Sequence, residues 1–261
     1  MLSKKDYLEA IEEVIEECKA PIYKDDVVAI YLGGSVARGD FSPGRSDIDI
    51  YIVVSGKKEE IEKELKDKTR KIAIKHLSAL MEVHSEPIGI SLTTIDEIKE
   101  GKSWLGSGFE YHNFINTGKL LYGGEIKTLI QKPTREQEMA LARQALGGIC
   151  SLIKHLSYSS ESGNDMLVSQ AFSTIFRTAS LSLCGEGKYV SGKKETVLAF
   201  QEIYAQESEL CRVISQSFEL WEKWEARSLT QEEIKQLMGF CLEFVSKICS
   251  LWDVTNKGEQ A

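Results

Sequence analysis

The chain has 261 residues, of which 42% are hydrophobic and 28% charged, and a net charge of −8. That length allows one large domain or two medium ones, each able to bury a core. No run of about 18 apolar residues exists, so no membrane span is expected. Both halves are equally acidic, with 19 basic against 23 acidic residues up to Lys132 and 13 against 17 after it. No basic half argues for nucleic acid. The N-terminus lacks an apolar signal core, and a cytoplasmic protein is expected. The six cysteines, Cys18, Cys150, Cys184, Cys211, Cys241 and Cys249, form no Cys-x-x-Cys pair. They read as reduced thiols, most of them buried.

Ser3 to Lys19 has the spacing of an amphipathic helix. Tyr7, Leu8, Ile11, Val14, Ile15 and Cys18 make the apolar stripe, and a row of glutamates makes the other face. Ser3 can cap it, with Asp6 at the capping-box position. Pro21 stops it. Val27 to Leu32 is then an apolar, β-branched run that reads as a buried strand. Gly33, Gly34 and Ser35 make a turn into a short helix, with Ser35 at its expected N-cap. Gly39, Pro43 and Gly44 mark a loop that ends at Ser46. A second strand follows, with Asp47 and Asp49 set into it.

Side chains alternate along a strand, so Asp47 and Asp49 share one face and Ile48, Ile50 and Ile52 take the other. Two adjacent carboxylates repel, and burying either is costly without a cation. A hard divalent ion such as Mg²⁺ suits them, because it accepts carboxylate and phosphate oxygens together. Gly34 lets a ligand approach the backbone closely. Free N–H groups at the start of a helix would attract phosphate.

Lys57 to Leu80 reads as a solvated helix with Ile61, Leu65 and Ile72 on its apolar face. His76 falls at the edge of that stripe, and His84 reads as a surface residue. Pro87 to Thr94 is a third strand. Ile88, Ile90 and Leu92 alternate there with Gly89, Ser91 and Thr93. Trp104 to Gly124 carries His112 and the stretch from Gly118 to Gly123. Gln131 to Thr134 is the expected linker, which separates domains at 1–132 and 133–261.

Beyond it the character turns helical. Leu141, Ala145, Ile149, Leu152 and Leu156 keep helical spacing. After an expected loop from Tyr158 to Asp165, Phe172, Ile175, Phe176, Ala179 and Leu183 mark a second helix, ended by Gly185 and Gly187. Lys194–Tyr204, Leu210–Trp224 and Thr230–Trp252 supply three more, the last opened by a Thr230–Glu233 capping box. The expected tail from Asn256 is frayed. The fold class is therefore α/β in the N-terminal domain, a small mixed sheet with flanking helices, followed by an all-α bundle of about five helices.

The set Gly34, Ser35, Gly39, Ser46, Asp47 and Asp49 resembles the signature of the DNA polymerase β-like nucleotidyltransferase superfamily, which includes the aminoglycoside and lincosamide enzymes. A helical domain behind such a unit is similar to the layout of the aminoglycoside 3''-adenylyltransferases. The resemblance implies transfer of a nucleoside monophosphate, AMP from ATP or from another NTP, to a hydroxyl of a small-molecule acceptor. It implies Mg²⁺ on Asp47 and Asp49, and nucleotide held by Gly33, Gly34, Ser35 and Ser46. It also implies phosphate contact from Lys193 or Lys194, in a stretch running from Gly187 to Glu195. An ordinary basic first turn explains those lysines equally well, and Arg177 reads as a surface arginine. The substrate cleft is expected between the domains.

Many relatives carry a third carboxylate on the third strand. Here the polar-face positions are Gly89, Ser91 and Thr93, and Glu86 at the strand entrance is the candidate replacement. Two other functions stay open: nucleotidyl transfer to a protein or RNA end, and a catalytically silent nucleotide-binding module.

Overall fold

The computed structural model describes residues 2–20, 23, 25–156 and 165–253. The expected helix stop at Pro21, most of the loop from Tyr158 and the tail from Asn256 lie outside the described residues. The chain divides into two compact units, Met1–Pro133 and Thr134–Ala261.

The first unit is built on a four-stranded mixed sheet. Its strands are β1 (Val27–Leu32), β2 (Ile48–Val54), β3 (Ile88–Thr94) and β4 (Lys119–Gly123), in the order β3-β2-β1-β4. β1 runs antiparallel to both β2 and β4, and β2 runs parallel to β3. The first three strands match the apolar runs read from the sequence. β4 was not foreseen: Lys119 and Leu120 are exposed, so it lacks the alternation of a half-buried strand. It forms by pairing with β1, and Gly123, at φ +82°, permits the close approach: a β-carbon there would lie 2.0 Å from the Val28 carbonyl oxygen.

Each face of the sheet carries its own core. Ile48, Ile50, Ile52 and Val54 of β2 point to one side. They meet Tyr7, Ile11 and Val14 of α1 (Lys4–Cys18), Val36 and Ala37 of α2 (Gly34–Arg38), and Ile61, Leu65 and Ile72 of α3 (Lys58–His76). Tyr51 and Val53 point to the other side. There they meet Ala29 and Tyr31 of β1, Ile98 of α4 (Ile95–Lys99) and Phe114 of α5 (Gly108–Thr117). Burial on this scale, at about 25 cal/mol per Å² of apolar area, is what holds the layers on the sheet.

α1 has the expected capping box, with the Ser3 amide donating to Asp6 Oδ2 at 2.6 Å. Leu8, expected on the buried stripe, is 59% exposed. α3 ends at His76 rather than at Leu80, because the backbone leaves helical angles at Leu77. A tighter 3-10 turn over Ser78–Glu82 follows, and Leu77 and Leu80 are both fully buried. His76 does sit at the edge, where its Nε2 lies 2.7 Å from Glu13 of α1.

The second unit contains α6 (Arg135–Leu156), α7 (Asp165–Gly185), α8 (Lys193–Ile203), α9 (Ser208–Glu225) and α10 (Gln231–Leu251), with no strand among the described residues. α7 is buried almost all round and packs against the other four. Its last residue must be glycine: a β-carbon on Gly185 would lie 1.8 Å from the Trp252 ring. α10 opens on the expected capping box, Thr230 accepting from the Glu233 amide and Glu233 from the Thr230 amide. All six cysteines are free thiols; Cys150 and Cys211 are half-buried and the others buried. Among the described residues no helix is long and apolar enough to cross a membrane.

Candidate active site

The site forms where β1 turns back over the start of β2. The Gly33 amide donates to the Asp49 carbonyl at 2.8 Å, which ties the glycine turn to the acid-bearing strand. Gly34 adopts φ +61°, and a β-carbon on it would sit 2.0 Å from Asp49 Oδ2. A β-carbon on Gly33 would sit 2.7 Å from the Tyr51 hydroxyl. Two glycines are thus required by two side chains of one strand face, Asp49 and Tyr51. The reason for Gly34 differs in part from the sequence reading. It makes room for the Asp49 carboxylate before any ligand is considered.

Asp49 is in β2, whereas Asp47 lies just before it, since the strand starts at Ile48. Both are half-buried. Their charges converge on the Tyr51 phenol. Burial is the main cause that pushes that phenol up, and the carboxylates of Asp49, Glu110 and Asp47 add to it, while Arg38 opposes them. Arg38 is half-buried at the end of α2, with Nε 3.1 Å from Asp40. Gly39, at φ +84°, ends α2 in the left-handed conformation that favours glycine.

The loop before Asp47 is held from two sides. Tyr7 of α1 donates its hydroxyl to the Ser46 carbonyl at 2.6 Å and accepts from the Gly44 amide at 3.1 Å. Burial is the main cause that pushes this phenol up to about 12, with Asp47 adding to it. On the other side His84 Nε2 lies 2.6 Å from the Arg45 carbonyl. A carbonyl only accepts, so Nε2 carries the proton. Ser46 Oγ accepts from the Ser42 amide at 3.0 Å, which closes the loop on itself.

Several expected site residues stand elsewhere than the sequence implied. Ser35 is not the N-cap; Gly33 is, and Ser35 lies inside the first turn of α2. Glu86 is exposed, and its charge is felt at Lys66 of α3. It lies before β3, which starts at Ile88. The residue that pairs with Asp49 across β2 and β3 is Gly89. A β-carbon there would be 3.8 Å from Asp49 Oδ1, ordinary contact, so the position has room for a side chain but carries none.

In the second unit Lys193 opens α8. Its ammonium sits over aromatic rings, 4.7 Å from the Trp221 centroid and 5.9 Å from that of Phe176. Lys194 beside it is exposed, as is Arg177.

Tyr7, Arg38, Tyr51 and Glu110 were missed. Tyr51 could have been found, since it is two residues beyond Asp49 and shares its face. The others needed the tertiary fold.

Asp47 and Asp49 offer hard oxygen donors, one of them beside the backbone of Gly34. This fits Mg²⁺, which is commonly held by one or two carboxylates, substrate phosphates and water. Among the described residues no third His, Cys, Asp or Glu joins them in a metal-binding group.

Residues 11–107 match the family model described as "Nucleotidyltransferase domain". The first unit is thus a nucleotidyltransferase domain of the DNA polymerase β-like kind, and the protein is an enzyme of the nucleotidyltransferase class. In fold the chain is similar to the crystal structure of spectinomycin adenyltransferase AAD(9) from Enterococcus faecialis, solved with ATP and spectinomycin. The match has a TM-score of 0.52 at 14% sequence identity and covers 92% of this chain and 99% of that one. No curated protein matches the chain in sequence.

Proposed function

We propose that this protein transfers AMP from ATP to a hydroxyl group of a small-molecule acceptor, with release of pyrophosphate. The observation that carries the reading is the fit of Gly34 against the Asp49 carboxylate within a nucleotidyltransferase domain. It puts a bare backbone turn beside an acid able to hold a metal. The structural neighbour solved with ATP and spectinomycin supports a nucleotide and a small acceptor. The acidic residues around Tyr51 favour a cationic acceptor of the aminoglycoside kind. The reading places the protein in the cytoplasm, with domains at 1–132 and 133–261.

In this reading Asp47 and Asp49 hold Mg²⁺, which would neutralise charge that develops on the nucleotide phosphates. The Gly33–Gly34 backbone and Ser35 lie alongside Asp49 and carry the β- and γ-phosphates. Tyr7, His84 and Ser46 keep the Asp47 loop in place. The acceptor hydroxyl attacks the α-phosphorus in line, and the bond to pyrophosphate breaks.

Two measurements test this. ATP is titrated calorimetrically with and without Mg²⁺, and pyrophosphate release is followed with a panel of hydroxyl acceptors, aminoglycosides included. Mg²⁺-dependent ATP binding with acceptor-dependent release is expected. Failure to bind ATP at all would refute the reading, and binding with no release would leave a nucleotide-binding module.

A further inference from the structure

Transfer to a hydroxyl needs a group that accepts its proton, and a positioned base typically contributes about 10²- to 10⁴-fold. Asp47 and Asp49 are committed to the metal in the reading above. β3 cannot supply the base from the position beside Asp49, because Gly89 occupies it. Ser91 and Thr93, the next residues of that face, are not bases at neutral pH. Glu86 is exposed and precedes the strand.

We propose that Glu110, on α5, is the base that accepts the acceptor's proton. This rests on the adenylyl-transfer reading and adds a residue to it. The placement comes from the packing of α5. Phe114 is fully buried, with its ring centroid 4.8 Å from that of Tyr31 and 5.7 Å from that of Tyr51. Residues four apart share a helix face. Glu110 therefore lies one turn before Phe114 on the face turned to Tyr51.

α5 also packs against α2, the helix that follows the glycine turn. Glu110 is half-buried there. Tyr51, the ring that Phe114 meets, lies in turn against Gly33 of the glycine turn. α5 thus packs on the ring that closes one side of the glycine turn.

The role of base, rather than of third metal ligand, follows from spacing. Glu110 does not join Asp47 and Asp49 in a group close enough to share an ion. It stands in the first turn of α5. It also lies beyond residues 11–107, the part that matches the family domain. The balance is simple. The acceptor O–H proton passes to the Glu110 carboxylate, the oxygen bonds to the α-phosphorus, and pyrophosphate leaves with the electron pair of the broken P–O bond.

The test compares Glu110→Gln with the unmodified protein in pyrophosphate release with an active acceptor, and in calorimetric binding of Mg·ATP. The expected result is a fall in kcat of about 10²-fold or more, with ATP affinity within about two-fold. Gly89→Glu added to Glu110→Gln should recover at least ten-fold, since a side chain fits there beside Asp49. Glu110→Asp, which keeps the charge but withdraws it by one methylene, should keep intermediate activity and serves if the glutamine variant does not fold. A Glu110→Gln enzyme with kcat within three-fold of the unmodified one overturns the proposal and leaves adenylyl transfer standing. An unmodified protein that binds ATP but releases pyrophosphate with no acceptor overturns both.

Discussion

The α-carbon of Gly34 lies against the Asp49 carboxylate so closely that a single added carbon would stand 2.0 Å from Oδ2. Gly34→Val is therefore expected to displace Asp49 as well as to strain a backbone at φ +61°. Such strain alone costs on the order of 1–3 kcal/mol. Calorimetry on the folded variant should show loss of Mg²⁺-dependent ATP binding. Unchanged affinity would mean that the turn serves only the chain path.

Asp47→Asn and Asp49→Asn should each lower transfer by about 10²-fold or more, since metal catalysis supplies several kcal/mol. Neither change removes a backbone hydrogen bond, so far-ultraviolet circular dichroism should match the unmodified protein. Without Mg²⁺ the variants should melt at the same or a higher temperature, because a repulsion between like charges is relieved. Transfer near the original rate in both would sink the metal reading.

Tyr7→Phe removes one hydroxyl and leaves the Ser46 carbonyl and the Gly44 amide without it. At about 0.5–1.5 kcal/mol for each net hydrogen bond, the stability loss should be about 1–3 kcal/mol. A purely structural role would stop there. A role in aiming Asp47 predicts in addition a weaker response to Mg²⁺ in a thermal-shift titration, at temperatures where the variant is fully folded. The unchanged half-saturation of that titration would reject the aiming role.

Glu233 closes the cap of α10 and is held down to about 2, chiefly by the Lys223 ammonium and then by the Thr230 amide. Its folded value lies below the unfolded one, so its stabilising effect is complete above about pH 4.5. That effect is lost as pH falls toward 2. Melting temperatures of the unmodified protein and of Glu233→Gln should thus differ at pH 6 and converge by pH 2. A constant gap would show that the charge is not what matters.

Much of the first unit could be read from local pattern. β1, β2 and β3 are bounded apolar runs, and the Gly34 to Asp49 stretch has fixed offsets. The helices of the second unit follow from periodicity and one capping box. What escaped detection depends on long-range register. β4 is exposed on the residues that should have marked it, and only its pairing with β1 makes it a strand. Glu86 looked suitable by its nearness to β3 in the chain, yet it stops short of the strand and is exposed. Glu110 is 61 residues from Asp49 in sequence (110 minus 49). No periodicity links them; the link is a helix docked on a tyrosine pair.

β2 lies inside the sheet, between β3 and β1, while β3 and β4 form its edges. Edge strands open to solvent first, and interior ones resist local unfolding longest. In deuterium uptake, the amides of β4 should exchange well before those around Ile50 and Ile52. The strand that bears Asp49 keeps a paired neighbour when either edge frays, so the acid is carried by a part of the sheet that breathing motions reach last. Gly89, on an edge strand, has no such protection, and a base placed there would move with that edge. A base on α5 is anchored instead through Phe114 to Tyr51, on the same strand as Asp49.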